Sequence, residues 1–209
     1  NRIREFLNAK SLEYSAEYLK SIYKVFNVLF AYAYRNKRMK KNPMDEVDAP
    51  PDPRHLKEYQ FLTREERQKI QERIASTNVQ VAYYLALNTG VRVSECFALC
   101  WSDVDFVNRK VRVNKQMRYE DRKWCFTPLK TINSYRDVGV TSSFIRYLQE
   151  VKRYQEEARA FYGDGYCSGN VVWDRREKNQ DEKLIVRDLI NVKQNGVMLT
   201  PNSEKFLAH

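Results

Sequence analysis

Two short stretches carry side chains that could act on an anion. In the first, Asn88-Thr89-Gly90-Val91-Arg92-Val93-Ser94-Glu95, an arginine sits in a tight turn between two helical patterns. Gly90 closes the pattern that runs from Val79 to Asn88, because a glycine at a helix C-terminus takes positive φ without a Cβ clash. Ser94 reads as the cap of the next helix, with Glu95 in its first turn at the positive end of the dipole. Arg92 falls between them. A guanidinium on a short connector between packed helices is aimed by the scaffold, which is what a fixed anion site needs. On the turn alone, a surface arginine after a helix-ending glycine is the commoner reading. The second stretch, Lys130-Thr131-Ile132-Asn133-Ser134-Tyr135-Arg136, lies between two strand patterns, and a lone lysine there is by default a solvated loop residue.

Taken together, the stretches resemble the tyrosine recombinases, the phage-integrase family. Thr89-Gly90-x-Arg92-x-Ser94-Glu95 followed by Ala98-Leu99-x-Trp101-x-Asp103-Val104 is similar to that family's first conserved box. Lys130-Thr131-x-x-Ser134-x-Arg136 is similar to its β-hairpin pattern. The resemblance implies that Arg92 is the first catalytic arginine, that Lys130 protonates the leaving 5′-oxygen from a hairpin tip, and that Glu95 is an accessory residue orienting Arg92. It implies that Thr131, Ser134 and Arg136 accompany Lys130 as DNA-binding residues. In the family a tyrosine hydroxyl attacks a DNA phosphodiester, giving a 3′-phosphotyrosine and a free 5′-hydroxyl with no metal and no cofactor. Negative charge then gathers on the nonbridging oxygens, and pre-aimed cations stabilise it. The second box, His-x-x-Arg, and the nucleophilic tyrosine would lie beyond His209. No nucleophile is nominated within the chain, and the chain alone is expected to be inactive.

The fold implied is mainly α with a small antiparallel β-sheet: the C-terminal part of a helical core-binding domain, then the N-terminal half of an α+β catalytic domain. The expected boundaries are a helical DNA-binding domain over 1–48, incomplete at its N-terminus, a linker over 49–60, and a catalytic domain over 61–209, incomplete at its C-terminus. The absence of an initiating methionine suggests a chain cut from something longer.

The elements that must position these residues are written in local patterns. Ser15 caps a helix whose stripe runs through Leu19, Ile22, Tyr23, Phe26, Leu29, Phe30 and Ala33 to about Arg35. Behind it come Arg35, Lys37, Arg38, Lys40 and Lys41, read either as a solvated, weakly ordered end or as a DNA-binding turn. Pro50, Pro51 and Pro53 make a stiff extended linker. Thr63-Arg64-Glu65-Glu66 is a capping box that opens the second domain. A helix over Cys96, Phe97, Leu99 and Cys100 follows the arginine turn, and Val111 and Val113, Trp124 to Phe126, and Val138 and Val140 read as three antiparallel strands. Phe144, Leu148, Val151, Tyr154, Ala158 and Phe161 form one core stripe that Gly163 stops, Val171 to Trp173 is a short strand or extended segment, Arg175 to Lys183 is a polar loop, and Thr200-Pro201 opens a last helix. With the C-terminal part absent, the apolar faces of Leu87, Phe97, Leu99 and Val172 are expected to be partly exposed.

Composition narrows the function classes. Thirty-seven Lys and Arg against 27 Asp and Glu give a net charge of +10, which favours a polyanionic partner, with double-stranded DNA first. No apolar run is long enough to cross a bilayer, so a cytoplasmic protein with no membrane partner is expected; that it is bacterial or phage-encoded is what the resemblance implies. Cys96, Cys100, Cys125 and Cys167 form no Cys-x-x-Cys pair, so no metal site is expected, and Cys96 and Cys100 read as buried core thiols; that no small-molecule cofactor is needed is what the resemblance implies. Self-association on DNA follows from the resemblance. Two classes stay open: a DNA-breaking and rejoining integrase of a mobile element, and a non-catalytic DNA-binding module on the same fold. An RNA- or protein-binding helical domain is weaker, since no aromatic ribonucleoprotein motif is present.

Overall fold

The computed structural model describes residues 1–50 and 61–203. The chain divides into two compact units, Asn1–Leu62 and Thr63–His209. Pro51 and Pro53 of the expected linker lie outside the described residues, as do both histidines, His55 and His209, and the last helix beyond Ser203.

The first unit packs α1 (Arg2–Lys10) and α2 (Ala16–Arg35) around a 3-10 turn at Pro43–Glu46, with Leu7, Met44 and Val47 buried at the centre. The Ser15 hydroxyl accepts from the Tyr18 N–H and caps α2. The helix turns Ile22, Tyr23, Phe26 and Phe30 to this core, whereas Leu29 is 55% exposed alongside Val25 and Val28. Leu29 is therefore not core: α2 is apolar on two faces, and the unit covers one. Past Arg35 the chain does not fray. Lys37 adopts the left-handed region at φ 55, and the Arg38 N–H reaches back to the Ala33 carbonyl at 2.9 Å, a hydrogen-bonded helix stop that presents Arg35, Lys37, Arg38, Lys40 and Lys41 to solvent.

The second unit opens with α3 (Arg64–Ile74), where the Thr63 hydroxyl and the Glu66 carboxylate cap each other's backbone N–H at 3.2 and 2.8 Å. Helix α4 (Gln80–Thr89) ends at Gly90 with φ 63, as glycine permits. The next helix, α5 (Val93–Cys96), is a single turn, and Ser94 does not cap it. The Glu95 carboxylate accepts the Arg92 N–H instead. Past Cys96 the chain tightens, the Ala98 N–H donating to the Glu95 carbonyl at 3.1 Å and the Leu99 N–H to the Cys96 carbonyl at 3.3 Å, so Phe97, Ala98 and Leu99 are buried outside the helix, and Asn191 donates to the Cys96 carbonyl at 2.9 Å. Later, α6 (Ser142–Tyr162) buries Phe144, Leu148 and Val151, while Tyr154 and Phe161 are exposed, so its core stripe covers only the first half.

The strands form two sheets rather than one antiparallel sheet. Strands β1 (Val104–Asp105), β2 (Lys110–Val113) and β5 (Arg136–Gly139) make a three-stranded antiparallel sheet. Strands β3 (Gln116–Glu120), β4 (Lys123–Thr127), β6 (Asn170–Asp174) and β7 (Glu182–Val186) make the other, with β4 and β6 parallel. Glu182 and Lys183 thus belong to a strand, and the polar loop shrinks to the β6–β7 connection. Lys130 is not at a hairpin tip. The hairpin is β3–β4, turning at Asp121 and Arg122 with both φ positive, and Lys130 lies where the chain passes from one sheet to the other. Pro128, with no N–H to offer, ends the β4 ladder one residue after Thr127. The core of this unit buries Leu85, Phe97, Leu99, Val111, Val113, Met117, Leu148, Val172 and Ile190. Phe97, Leu99 and Val172 are therefore covered, and of the four residues expected to be partly exposed only Leu87 is.

A Cβ built on Gly90 meets nothing within 4 Å, so a substitution there is opposed by backbone conformation alone. Gly90→Ala is expected to cost about 1–2 kcal/mol and Gly90→Asn distinctly less, because asparagine tolerates the left-handed region. Urea unfolding with an unchanged m-value checks this, and equal costs for the two variants would place the loss elsewhere.

Candidate active site around Glu95

Glu95 is 1% exposed and its carboxylate is held on both oxygens. Arg92 Nη1 donates to Oε1 at 2.8 Å, while the Arg92 backbone N–H and Arg136 Nη2 both donate to Oε2 at 3.0 Å. Arg92, at 69% side-chain exposure, keeps most of its guanidinium facing solvent. The i, i+3 spacing across the helix start makes the first interaction local. Arg136 arrives from the first residue of β5 and places a second cation on the same carboxylate. Burial works to raise the Glu95 pKa, and the hydrogen bonds from Arg92 and Arg136 outweigh it, so the carboxyl sits below its ordinary 4.5.

The Lys130 loop is tied down at several points. Gln116 of β3 donates to the Pro128 carbonyl at 2.8 Å and lies 3.4 Å from the Ser94 hydroxyl, linking the arginine turn to the lysine loop. The Tyr135 hydroxyl accepts from the Leu129 N–H at 3.3 Å. The Thr131 and Ser134 hydroxyls lie 2.9 Å apart, the Ser134 N–H donates to the Thr131 carbonyl at 3.0 Å, and Arg136 Nη1 donates to the Ser134 carbonyl at 3.0 Å. Lys130 itself is exposed. The structure brings together Arg92, Glu95, Arg136 and Ser134, and keeps Lys130 on a loop fastened to that group. Ser134 is buried with its hydroxyl against Thr131, and both nitrogens of Arg136 named above face inward, so neither presents the outward surface expected of a DNA-binding residue.

Residues 60–159 match the family model of the phage integrases. That segment, just under half of the chain, is similar to the phage integrase family. It is 27% identical over 167 residues to a tyrosine recombinase XerC-like protein of Caldanaerobacter subterraneus, covering 74% of this chain and 43% of that protein. It is 31% identical over 131 residues to the ICEBs1 integrase of Bacillus subtilis, covering 62% and 35%. The chain thus spans less than half the length of these relatives. In fold it is similar to the Tn1549 transposon integrase solved with circular intermediate DNA, at a TM-score of 0.67 and 19% identity over 96% of this chain and 59% of that one. The lambda integrase dimer bound to a core site gives a TM-score of 0.53 at 18% identity, covering 94% and 45%.

Sequence reasoning missed two supports of this site. Gln116 is one. The other is Lys115, buried against Asp103, whose carboxylate also accepts the Cys100 N–H at 2.9 Å and so joins the start of β3 to the turn after α5. The signal was present: Val111, Val113, Lys115 and Met117 continue one inward alternation. Among the described residues no group of three or more His, Cys, Asp or Glu side chains is placed to hold a metal, and Cys167 is only half-buried while the other three thiols are buried.

Because the folded-state pKa of Glu95 is depressed, its ionised form stabilises the fold above the ordinary carboxylate range, and that stability is lost as pH falls through the lowered value. Glu95→Gln is expected to cost about 2 kcal/mol at pH 7, less than a fully buried pair because Arg92 is exposed. The gap between parent and variant should narrow on acidification towards pH 3. Unfolding free energies across that range test it, and a gap that is constant or widens at low pH contradicts it.

Proposed function

We propose that the complete protein is a tyrosine recombinase that breaks and rejoins double-stranded DNA at a specific site of a mobile element, through a 3′-phosphotyrosine. The observation that carries this reading is the pre-aimed Arg92: a guanidinium tethered by one nitrogen to a buried carboxylate and open to solvent with the rest. Such a group meets the nonbridging oxygens of a phosphorane without reorganising, and its fork geometry suits them. Lys130, exposed on a fastened loop, is the donor to the leaving 5′-oxygen. Glu95 orients Arg92 and touches no substrate. Arg35, Lys37, Arg38, Lys40 and Lys41, with Thr131, bind phosphates. A core-binding domain before the linker and half of a catalytic domain after it remain our division of the chain.

We nominate no nucleophile among the described tyrosines. Tyr135 uses its hydroxyl on Leu129, and burial, then the neighbouring Tyr84, pushes the Tyr147 hydroxyl up to about 12. In this reading the attacking tyrosine is supplied by sequence outside this chain. The lambda integrase is solved as a dimer on a core site and a tetramer on a Holliday junction, and by that likeness self-association on DNA belongs to the proposal.

In the complete protein, Arg92→Ala and Lys130→Ala are expected to bind duplex DNA nearly as well as the parent and to cleave it roughly a hundred- to a thousandfold more slowly. A substrate with sulfur at the 5′-bridging position, a leaving group needing no proton, should rescue Lys130→Ala and not Arg92→Ala. Rescue of both or of neither removes the general-acid role from Lys130, and full cleavage by Arg92→Ala leaves the chain as a DNA-binding module. Replacing the five cations after α2 with alanine should weaken binding and flatten its salt dependence by roughly one unit of log–log slope for each phosphate that is no longer neutralised. An unchanged slope makes that turn a solvated surface.

A further inference from the structure

Among the described residues, Arg136 alone donates both to the carboxylate that holds Arg92 and to the loop that carries Lys130. We propose that Arg136 is a positioning residue that fixes the Lys130 loop relative to Arg92, and that it binds no phosphate of its own. The proposal rests on the roles given above to Arg92 and Lys130.

The geometry supplies the argument. One terminal nitrogen of Arg136 donates to the Ser134 carbonyl and the other to Glu95 Oε2, each at 3.0 Å. A guanidinium is planar and rigid, so two acceptors held by its two ends are held at a fixed separation. On one side Glu95 passes that restraint to Arg92 through its other oxygen. On the other side Ser134 is buried and bonded to Thr131 by both hydroxyl and backbone, so fixing its carbonyl fixes the short turn that begins beside Lys130. No β-ladder supplies this restraint: β4 and β5, which flank the loop, belong to different sheets. At 31% exposure, with both end nitrogens engaged inward, the side chain is built into the wall of the site. The reaction needs such a link. The clamp on the nonbridging oxygens and the donor to the bridging oxygen must meet one phosphate at once, and a displacement of about 1 Å costs on the order of a hundredfold.

The test is single-turnover cleavage by the full-length protein on matched oxygen and 5′-bridging sulfur substrates, with Arg136→Ala, Arg136→Lys and Lys130→Ala. Both Arg136 variants are expected to cleave the oxygen substrate roughly 10- to 100-fold more slowly, since a single ammonium does not reproduce the fork. Sulfur should recover at least about tenfold of that deficit, because a misplaced acid no longer matters. Affinity and its salt slope should stay at parent values. The proposal is overturned by unimpaired oxygen cleavage, by equal slowing on both substrates, or by a salt slope flattened by about one unit, the mark of a directly bound phosphate. If circular dichroism shows Arg136→Ala unfolded, the same criteria applied to Arg136→Lys decide. Failure of sulfur to rescue Lys130→Ala removes the general-acid reading itself. Rescue there with equal slowing of the Arg136 variants removes only the positioning role.

Discussion

A carboxylate taken out of water has to be compensated, and the arrangement of the second unit follows from how Glu95 is. An unpaired buried charge is among the most destabilising features a fold can contain, while a paired one is close to neutral. Glu95 is paired from three directions, by a backbone N–H and by two guanidinium groups. Each partner fixes something else. The backbone N–H starts α5 at Arg92, the first guanidinium is thereby held at the mouth of the turn, and the second draws β5 and the preceding loop against it. Gly90 supplies the bend that brings the turn to this carboxylate, and Asn191 closes the far end of α5.

What could be read from the sequence was local chemistry, and what could not was pairing at a distance. Gly90, the Ser15 cap and the Thr63–Glu66 box all stand in the structure as their residue types dictate, because each is decided within a few residues. The Arg92–Glu95 pair is legible for the same reason. Ser94 misleads because two residues near one helix start compete to cap it, and the longer carboxylate at N3 reaches the Arg92 N–H. The bond from Arg136 to Glu95 spans 41 residues, and no periodicity encodes it. The sheets are hidden for a related reason: alternation marks a strand but not its partner, and the single expected sheet resolves into two where Pro128 ends one ladder. Leu29 shows the converse limit. A helix apolar on two faces gives one stripe in the sequence, and burial alone separates them.

The net charge of +10 is likewise not evenly open to a polyanion. Several cations are committed to holding shape: Lys115 is buried on Asp103, Arg176 grips Asp174 through two nitrogens, and Arg175 sits among Glu120, Asp121 and Asp181. These groups stiffen the hairpins and the strand starts, and their charge is already matched. Others stand exposed, namely Arg92, Lys130 and the turn from Arg35 to Lys41. Burial, more than charge count, therefore sorts the basic residues into those that fix geometry and those that can meet phosphate. Arg92 and Arg136 share one carboxylate and fall on opposite sides of that division, which is why two arginines of identical chemistry are assigned different work.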